Sequence, residues 1–263
     1  MDGAFRSVWA DNFDAQSQFL LHQVAPHARH VALNVQYPGC VVHGDGRNHH
    51  ALTLQERYQV IRDNVNLLKP LQVGIAVCTD DGRRFTWEFN LAEFNIASDE
   101  DKKDHESIAY LTGCGVDFGR LPTAGIPAIR LRCLLRDSGL FRAPLSWATF
   151  SGAYHVAYFV SIMSGEKLPD GVDDFMRAVR ELFGSSCLYD VKLLAREYDR
   201  TCVGALSNVV KKLAVLPPQE GISKCKPAGT GSKLALVAFE TLKQRLGANM
   251  EMYSHELYGI QTI

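Results

Sequence analysis

The order of apolar and polar residues predicts an alternation of strands and helices along the chain. Apolar side chains form short runs, or alternate with polar ones, in four stretches, which predicts strands at 31–37, within a hairpin over 71–90, at 145–150 and at 186–190. Helical spacing of apolar residues predicts helices at 13–24, 54–68, 104–114, 127–139, 153–163, 172–182, 190–198, 203–213 and 231–246. This order favours one mixed α/β domain over residues 1–263.

Composition limits the classes of binding partner and the cellular compartment that we expect for this protein. The net charge of the 263 residues is −1, so no bulk attraction to nucleic acid is implied. Seven cysteines are scattered without a CxxC pair, which favours reduced thiols in the cytoplasm or the nucleus over zinc or disulfides. Neither a signal peptide nor an apolar run near the ~20 residues that span a bilayer is visible, so we expect no membrane partner.

The strand at 31–37 ends in two neutral amides. Asn34 and Gln36 alternate along it and stand directly before Tyr37-Pro38-Gly39. Two carboxylates at this spacing would hold a divalent cation, because Mg²⁺ and Ca²⁺ select anionic oxygen ligands. Two amides bind such a cation poorly. The segment is either a metal-binding strand without its acids or an ordinary strand.

Several stretches in order resemble the Caf-one (Pop-two) deadenylases, the nuclease subunits of the Ccr–Not complex. They cover most of the chain and read VWADNF, YQVIRDNVNLLKPLQVGIAV, FTWEFN, SIAYLTGCGVDF, LLRDSGL, LYDVKLL and HELYGI. The resemblance implies an RNase H-like exonuclease fold, with a mixed central sheet flanked by helices. It also implies docking on the helical-repeat region of the Not scaffold.

The resemblance further implies a two-metal chemistry, in which Mg²⁺ or Mn²⁺ held by four carboxylates helps to remove poly(A) from the 3′ end. The family's Asp-x-Glu-Phe-Pro-Gly reads NVQYPG here, which puts Asn34 and Gln36 at the acidic positions. His155 stands where the second motif has its aspartate. Lys226 and Gly231 stand where the third has its histidine general base and its last aspartate. All five functional positions are changed.

The electrostatic consequence of these changes is large. Four carboxylates would be neutralised by two divalent cations, whereas the residues here leave a local charge of about +1 to +2, depending on His155. A cation brought there would be repelled by the positive charge already present. The repulsion between two unit charges is ~4 kcal/mol at ~4 Å and an effective dielectric of ~20. We therefore expect no intact catalytic residue and no metal cofactor.

Two interpretations of the altered cleft remain open. In one, His155 and Lys226 contact RNA phosphate without cutting it, helped by weaker basic charge from Lys211, Lys212 and Lys224. In the other, which we favour, the cleft fills with internal hydrogen bonds such as Gln36 or Asn34 to His155. The alternating Phe85, Trp87 and Phe89 are expected to pack in the core rather than to stack on bases.

A histidine-rich loop follows the first strand. Its polar residues, which could form a replacement zinc or manganese site, are His43, Asp45, His49 and His50. Their irregular spacing favours an ordinary solvated loop instead.

Two further residues near the motifs invite a chemical interpretation. Asp190, in LYDVKLL, is an acid outside the family's ligand set and is expected to be a helix N-cap. Cys40 lies beside the altered cleft and is expected to be a small buried residue.

These observations lead to three hypotheses of function. The first is a catalytically inactive deadenylase-like protein that serves as a structural or interaction subunit of a Ccr–Not-type decay assembly. It would bind the Not scaffold or an active nuclease subunit. The alternatives are a non-cleaving module that binds RNA or poly(A), and a 3′–5′ poly(A) exoribonuclease with residual metal-dependent activity.

Overall fold

A six-stranded sheet forms the centre of the protein. The computed structural model describes residues 2–44, 51–215 and 227–263. The strands are β1 Asp2–Val8, β2 Ala28–Gln36, β3 Gln72–Thr79, β4 Arg84–Asn90, β5 Ser146–Thr149 and β6 Cys187–Asp190. Their order across the sheet is β1-β4-β3-β2-β5-β6, with β2–β3 and β3–β4 antiparallel and the other pairs parallel. The predicted mixed sheet is confirmed.

Helices cover both faces of this sheet. They are α1 Phe13–Phe19, α2 Leu54–Leu67, α3 His105–Gly113, α4 Leu121–Ala124, α5 Ala128–Asp137, α6 Gly152–Ser164, α7 Val172–Phe183, α8 Val191–Tyr198, α9 Leu206–Leu213 and α10 Ala228–Leu246. Side chains of α1, α2, α5, α6 and α7 form one core with β2 residues such as Leu33 and Val35. Those of α8, α9 and α10 form a second core with Ala32 on the opposite face. Alternate residues of β2 therefore serve different layers.

The antiparallel hairpin of β3 and β4 lies in the interior. Every residue of β3 is buried. On β4, Phe85, Trp87 and Phe89 are at most 7 % exposed and belong to the first core, so their predicted packing role is confirmed. Buried aromatic side chains of this size contribute strongly to core stability.

A strand at the chain start and the beginning of the last long helix differ from what the sequence pattern predicts. The chain start has no predicted strand, yet β1 pairs in parallel with β4 from Phe5↔Thr86 to Val8↔Phe89. Backbone hydrogen bonds to β4 define this edge strand, and its Phe5 side chain is 48 % exposed rather than part of the core. The last long helix begins at Ala228, so Gly231 lies in its first turn rather than in a loop before it.

Within the described ranges, none of the helices combines the length and the apolar content that a bilayer crossing needs. All six cysteines in these ranges are free thiols, as the scattered spacing predicts.

Candidate functional site

Three elements bring the altered motif positions together. The end of β2 carries Asn34 and Gln36. Helix α6 begins directly after Ser151, whose left-handed backbone (φ 54°) turns the chain from β5 into the helix, and places His155 in its first turns. The first turn of α10 carries Gly231. Lys226 lies outside the described residues.

Hydrogen bonds between neutral side chains fill the space among these positions. Asn34 Nδ2 lies 3.3 Å from His155 Nε2, and Gln36 Nε2 donates to Asn34 Oδ1 at 3.5 Å. Asn34 is only 8 % exposed, so its amide is held by partners inside the protein. The internal bond from Asn34 to His155, which the favoured interpretation of the cleft predicts, is present.

The ring of His155 is neutral. Its Nδ1 lies 3.0 Å from the Val35 carbonyl oxygen and 3.2 Å from the Val35 nitrogen. Nδ1 donates to that oxygen in the tautomer in which Nε2 accepts the Asn34 amide, and it accepts the Val35 N–H in the other. Desolvation by burial lowers the pKa of His155 to about 4, although the bond to the Val35 backbone opposes that shift. At pH 7 the ring therefore adds no positive charge to the cleft.

Helix α10 approaches β2 so closely at Gly231 that no side chain fits there. A Cβ atom on Gly231 would lie 2.8 Å from Asn34 Cγ and 2.9 Å from both terminal atoms of the Asn34 amide. Such distances are shorter than carbon and oxygen atoms tolerate without a shift of the neighbour. The Asn34 side chain thus occupies the space that an aspartate at position 231 would need.

The two metals of the implied chemistry do not fit this donor set. The four described positions supply two amides, a neutral imidazole and a glycine, and none of these is an anionic oxygen. In the part of the chain that the structure describes, no three His, Cys, Asp or Glu side chains are grouped as metal ligands. These four side chains therefore do not support a metal-dependent step.

An open cavity of about 490 Å³ remains beside the filled site. Its lining includes Gln36, His155, Cys40, His43, Asp104 and Tyr110. On its inner side Tyr37 stacks between Tyr154 and Tyr158, with ring centroids 5.2 and 4.8 Å apart. This stack makes the floor rigid, because each ring limits the rotation of the next.

Two residues singled out in the sequence, Cys40 and His43, line this cavity. Cys40 is partly rather than fully buried, and burial raises the pKa of its thiol, so it is a protonated side chain and not a nucleophile. His43 lines the cavity. The other members of the histidine-rich loop, Asp45, His49 and His50, lie outside the described residues, and the solvated-loop interpretation stays a prediction.

Asp190 is the most strongly bonded acid next to the site. It is fully buried, and its Oδ1 accepts the backbone N–H groups of Ser151 and Lys192 at 3.0 Å. Its Oδ2 accepts those of Gly152 at 2.7 Å and Tyr258 at 2.9 Å. The predicted N-cap of α8 is confirmed. The same carboxyl also holds the start of α6 and the C-terminal segment, which one motif could not reveal.

A row of buried polar residues on β3 and β4 was missed by the sequence patterns. Glu88 Oε2 accepts the Gly229 N–H at 2.9 Å, and Gln72 Nε2 donates to Asn90 Oδ1 at 2.8 Å. Gln72 Oε1 also lies 3.4 Å from the Ala228 nitrogen. These side chains satisfy the first N–H groups of α10, which has no side-chain cap of its own.

A signal for this row was present in FTWEFN. Thr86, Glu88 and Asn90 alternate with the three aromatic residues that drew attention. When both faces of a strand are buried, the polar side chains of one face need hydrogen-bond partners inside the protein. Here they find them at the start of α10.

Comparison with known proteins agrees with this architecture. Residues 8–132 match the family model described as CAF1 family ribonuclease. The chain is 31 % identical to the probable CCR4-associated factor 1 homolog 10 of Arabidopsis thaliana, over 97 % of this chain and 91 % of that protein.

Two solved structures superpose over nearly the whole chain. One is S. pombe Pop2p in its Mg²⁺- and Mn²⁺-bound form, with a TM-score of 0.78, 25 % identity and coverage of 98 % of this chain and 100 % of that chain. The other is the yeast NOT1 MIF4G domain co-crystallized with CAF1, where the matching chain has a TM-score of 0.74 and 23 % identity, with coverage of 97 % and 96 %. The predicted RNase H-like exonuclease fold is confirmed, and the chain belongs to the CAF1 ribonuclease family.

Proposed function

We propose that this protein is a non-cleaving member of the CAF1 family that serves as a structural or interaction subunit of a Ccr4–Not-type deadenylation assembly. One observation carries the proposal. The four described motif positions lie together, as a nuclease site requires, but they are filled by a hydrogen-bonded group without a carboxylate. The chain retains the framework of the site and has replaced its chemistry.

Phosphodiester hydrolysis by two metals needs anionic ligands and a proton acceptor. Mg²⁺ gives up its hydration water reluctantly and binds proteins through carboxylates, which Asn34 and Gln36 do not provide. A general base must reach the attacking water. His155 uses Nε2 to accept the Asn34 amide and Nδ1 to bond the Val35 backbone, so neither ring nitrogen is available.

The partner part of the proposal rests on relatives of the same architecture. Yeast CAF1 was co-crystallized with the NOT1 MIF4G domain, a complex whose matching chain superposes on this one with a TM-score of 0.74. A domain can lose its catalytic residues and keep its docking surfaces, because the two functions use different side chains. We extend the interaction to this protein, with a Not-type scaffold in the cytoplasm or the nucleus as its partner.

The catalytic part is tested with a labelled RNA that ends in a 3′ poly(A) tail, in Mg²⁺ and then in Mn²⁺. We expect no shortening by the natural protein. Metal-dependent shortening that EDTA abolishes would refute the proposal and favour the residual exoribonuclease. A second readout is titration calorimetry with MnCl₂, in which the natural protein should take up no Mn²⁺ at the cleft.

A restored variant is the matched control for this assay. It carries Asn34→Asp, Gln36→Glu, His155→Asp, Lys226→His and Gly231→Asp. Because a side chain at 231 is crowded by residue 34, its folding must be checked first by circular dichroism, with and without Mn²⁺. Shortening by the folded restored variant alone would locate the loss of activity in these five positions.

The partner part is tested separately. The purified full chain is mixed with the MIF4G-type domain of a Not scaffold from the same organism and analysed by size-exclusion chromatography with light scattering. We expect a complex that leaves the column earlier than either component. Two separate peaks at micromolar concentrations would refute this partner without changing the catalytic conclusion.

A further inference from the structure

A second cavity of the described structure lies apart from the altered cleft. It has a volume of about 790 Å³ and shares no lining residue with the cavity beside His155. One wall is formed by α8 and the residues after it, with Lys192, Arg196 and Arg200. The opposite wall is formed by the C-terminal segment, with Tyr253 and Tyr258. A volume of several hundred Å³ is typical of sites for small organic ligands.

The cations of this cavity have no acidic partners among the described residues. Lys192 Nζ lies 3.7 Å from the centroid of the Tyr258 ring, which leaves its charge in place. Arg196 donates to the Ile263 carbonyl oxygen at 3.2 Å. The lining also contains one acid, Glu197, whose Oε2 accepts the Tyr253 hydroxyl at 2.6 Å. Among the lining side chains, positive charge exceeds negative charge by two.

The two walls are joined at one buried point, so the cavity is already formed without a ligand. Asp190 accepts the backbone N–H of Lys192 at the start of α8 and that of Tyr258 in the C-terminal segment. A carboxyl that bonds both walls fixes their separation. Preorganised sites bind more tightly, because less order has to be created on binding.

The spacing of the cations suits neighbouring phosphate groups. Lys192 and Arg196 are four residues apart on α8, which places them side by side at about 6 Å along the helix axis. An ammonium and a guanidinium at this spacing can each bond a separate phosphate, and the guanidinium fork can hold two oxygens of one. Arg200 adds a third donor group to the same cavity.

We propose that this cavity binds a ligand with two or more adjacent phosphate groups. The ligand is either a free nucleoside diphosphate or the backbone of a single-stranded RNA, which share this chemistry. The site is separate from the altered cleft, so the inference does not depend on the proposed loss of catalysis. It gives the protein a binding activity that the motif positions do not encode.

The test is isothermal titration calorimetry of the full chain in about 50 mM salt, where phosphate contacts are strong. The probes are ADP, adenosine, decaadenylate and poly-glutamate. The double variant Lys192→Gln with Arg200→Gln removes two charges of the cavity. The control, Lys102→Gln with Lys167→Gln, removes two exposed charges elsewhere. Melting curves by circular dichroism confirm that both variants fold.

We expect ADP to bind and adenosine not to bind. The cavity variant should bind ADP at least about tenfold more weakly, and the control should change affinity less than about twofold. Binding of decaadenylate alone, with the same loss in the cavity variant, would identify RNA as the source of the phosphates. No binding of either phosphate probe, equal loss in both variants, or equal binding of poly-glutamate would overturn the proposal.

Discussion

Replacement of Asp190 by asparagine tests a buried carboxyl that bonds three separate segments of the chain. The carboxyl accepts four backbone N–H groups, two on each oxygen, from Ser151, Lys192, Gly152 and Tyr258. Asparagine keeps only one acceptor oxygen, and its NH₂ group would face two of these donors. Two buried N–H groups would then lose their partners, at about 1–3 kcal/mol each, so the lost bonds cost about 2–6 kcal/mol.

The charge of Asp190 works in the opposite direction. Burial raises the pKa of this carboxyl to about 6, in spite of its four donors. A raised folded-state pKa adds stability that is fully present below the unfolded value near 3.9 and is lost as the pH rises through about 6. The loss is about 3 kcal/mol, at 1.36 kcal/mol per pKa unit. Asparagine lacks this dependence, so the Asp190→Asn penalty should fall by about 2 kcal/mol between pH 4.5 and pH 7.

The assay is urea unfolding of both proteins at pH 4.5, 5.5 and 7, followed by circular dichroism. Asp104→Asn is the matched control, since Asp104 caps α3 with one bond to the Ser107 N–H at 2.8 Å. Hydrogen bonds to Ser107 lower the pKa of Asp104, so its contribution is present at neutral pH and fades as the pH falls. The two substitutions should therefore show opposite pH trends. An Asp190→Asn penalty that grows with pH, or that never exceeds the control's, would refute the reasoning.

Three further predictions concern the altered cleft and the start of α10. Gly231→Ala should destabilise the fold by about 1–3 kcal/mol, because the added Cβ meets Asn34. In a double-mutant cycle of unfolding free energies, Asn34→Ala should relieve that cost. Stabilisation by Gly231→Ala alone would contradict this prediction. Glu88→Gln should cost less than about 1 kcal/mol of stability, whereas Glu88→Ala should cost about 1–3 kcal/mol, because it leaves the Gly229 N–H unpaired. Urea unfolding measures both costs, and equal costs would contradict the role of Glu88 as a cap of α10. Burial also raises the pKa of Glu88, so the small stability it adds at low pH should fade as the pH rises, and Gln should abolish that trend. The ring of His155 should show no NMR titration between pH 5.5 and 8, since its pKa is about 4, and a midpoint near 6.5 would contradict its neutral, buried state.

Local patterns predicted the elements that carry their own apolar signal. The apolar run of β2 and the helical spacing of α6 were visible, so the placement of Asn34, Gln36 and His155 on them followed from the motifs. The edge strand β1 was not visible, because its hydrogen bonds to β4 define it and its side chains add little apolar signal. Strand pairing of this kind depends on residues about eighty positions away in the chain.

The contacts that close the site were equally out of reach of a motif. The close contact between Gly231 and Asn34 depends on the angle at which α10 crosses the sheet. Gly74 permits this crossing, because a Cβ at position 74 would lie 2.0 Å from the Ala228 carbonyl oxygen. The glycine at 74 admits the start of the helix, and Glu88 then bonds its first turn. A sequence shows the glycine and the acid, but not that both serve the same helix end.

The replaced positions form a consistent set in physical terms. Four acids gathered in a buried cleft would repel one another unless cations lay between them, so a protein that no longer binds metals gains stability by removing the acids. Removing them singly would leave the others unpaired. Here Asn34 bonds both His155 and Gln36, and the absence of a side chain at Gly231 leaves room for Asn34. The four described positions of the cleft thus carry no charge, and hydrogen bonds inside this CAF1-family protein join their polar side chains.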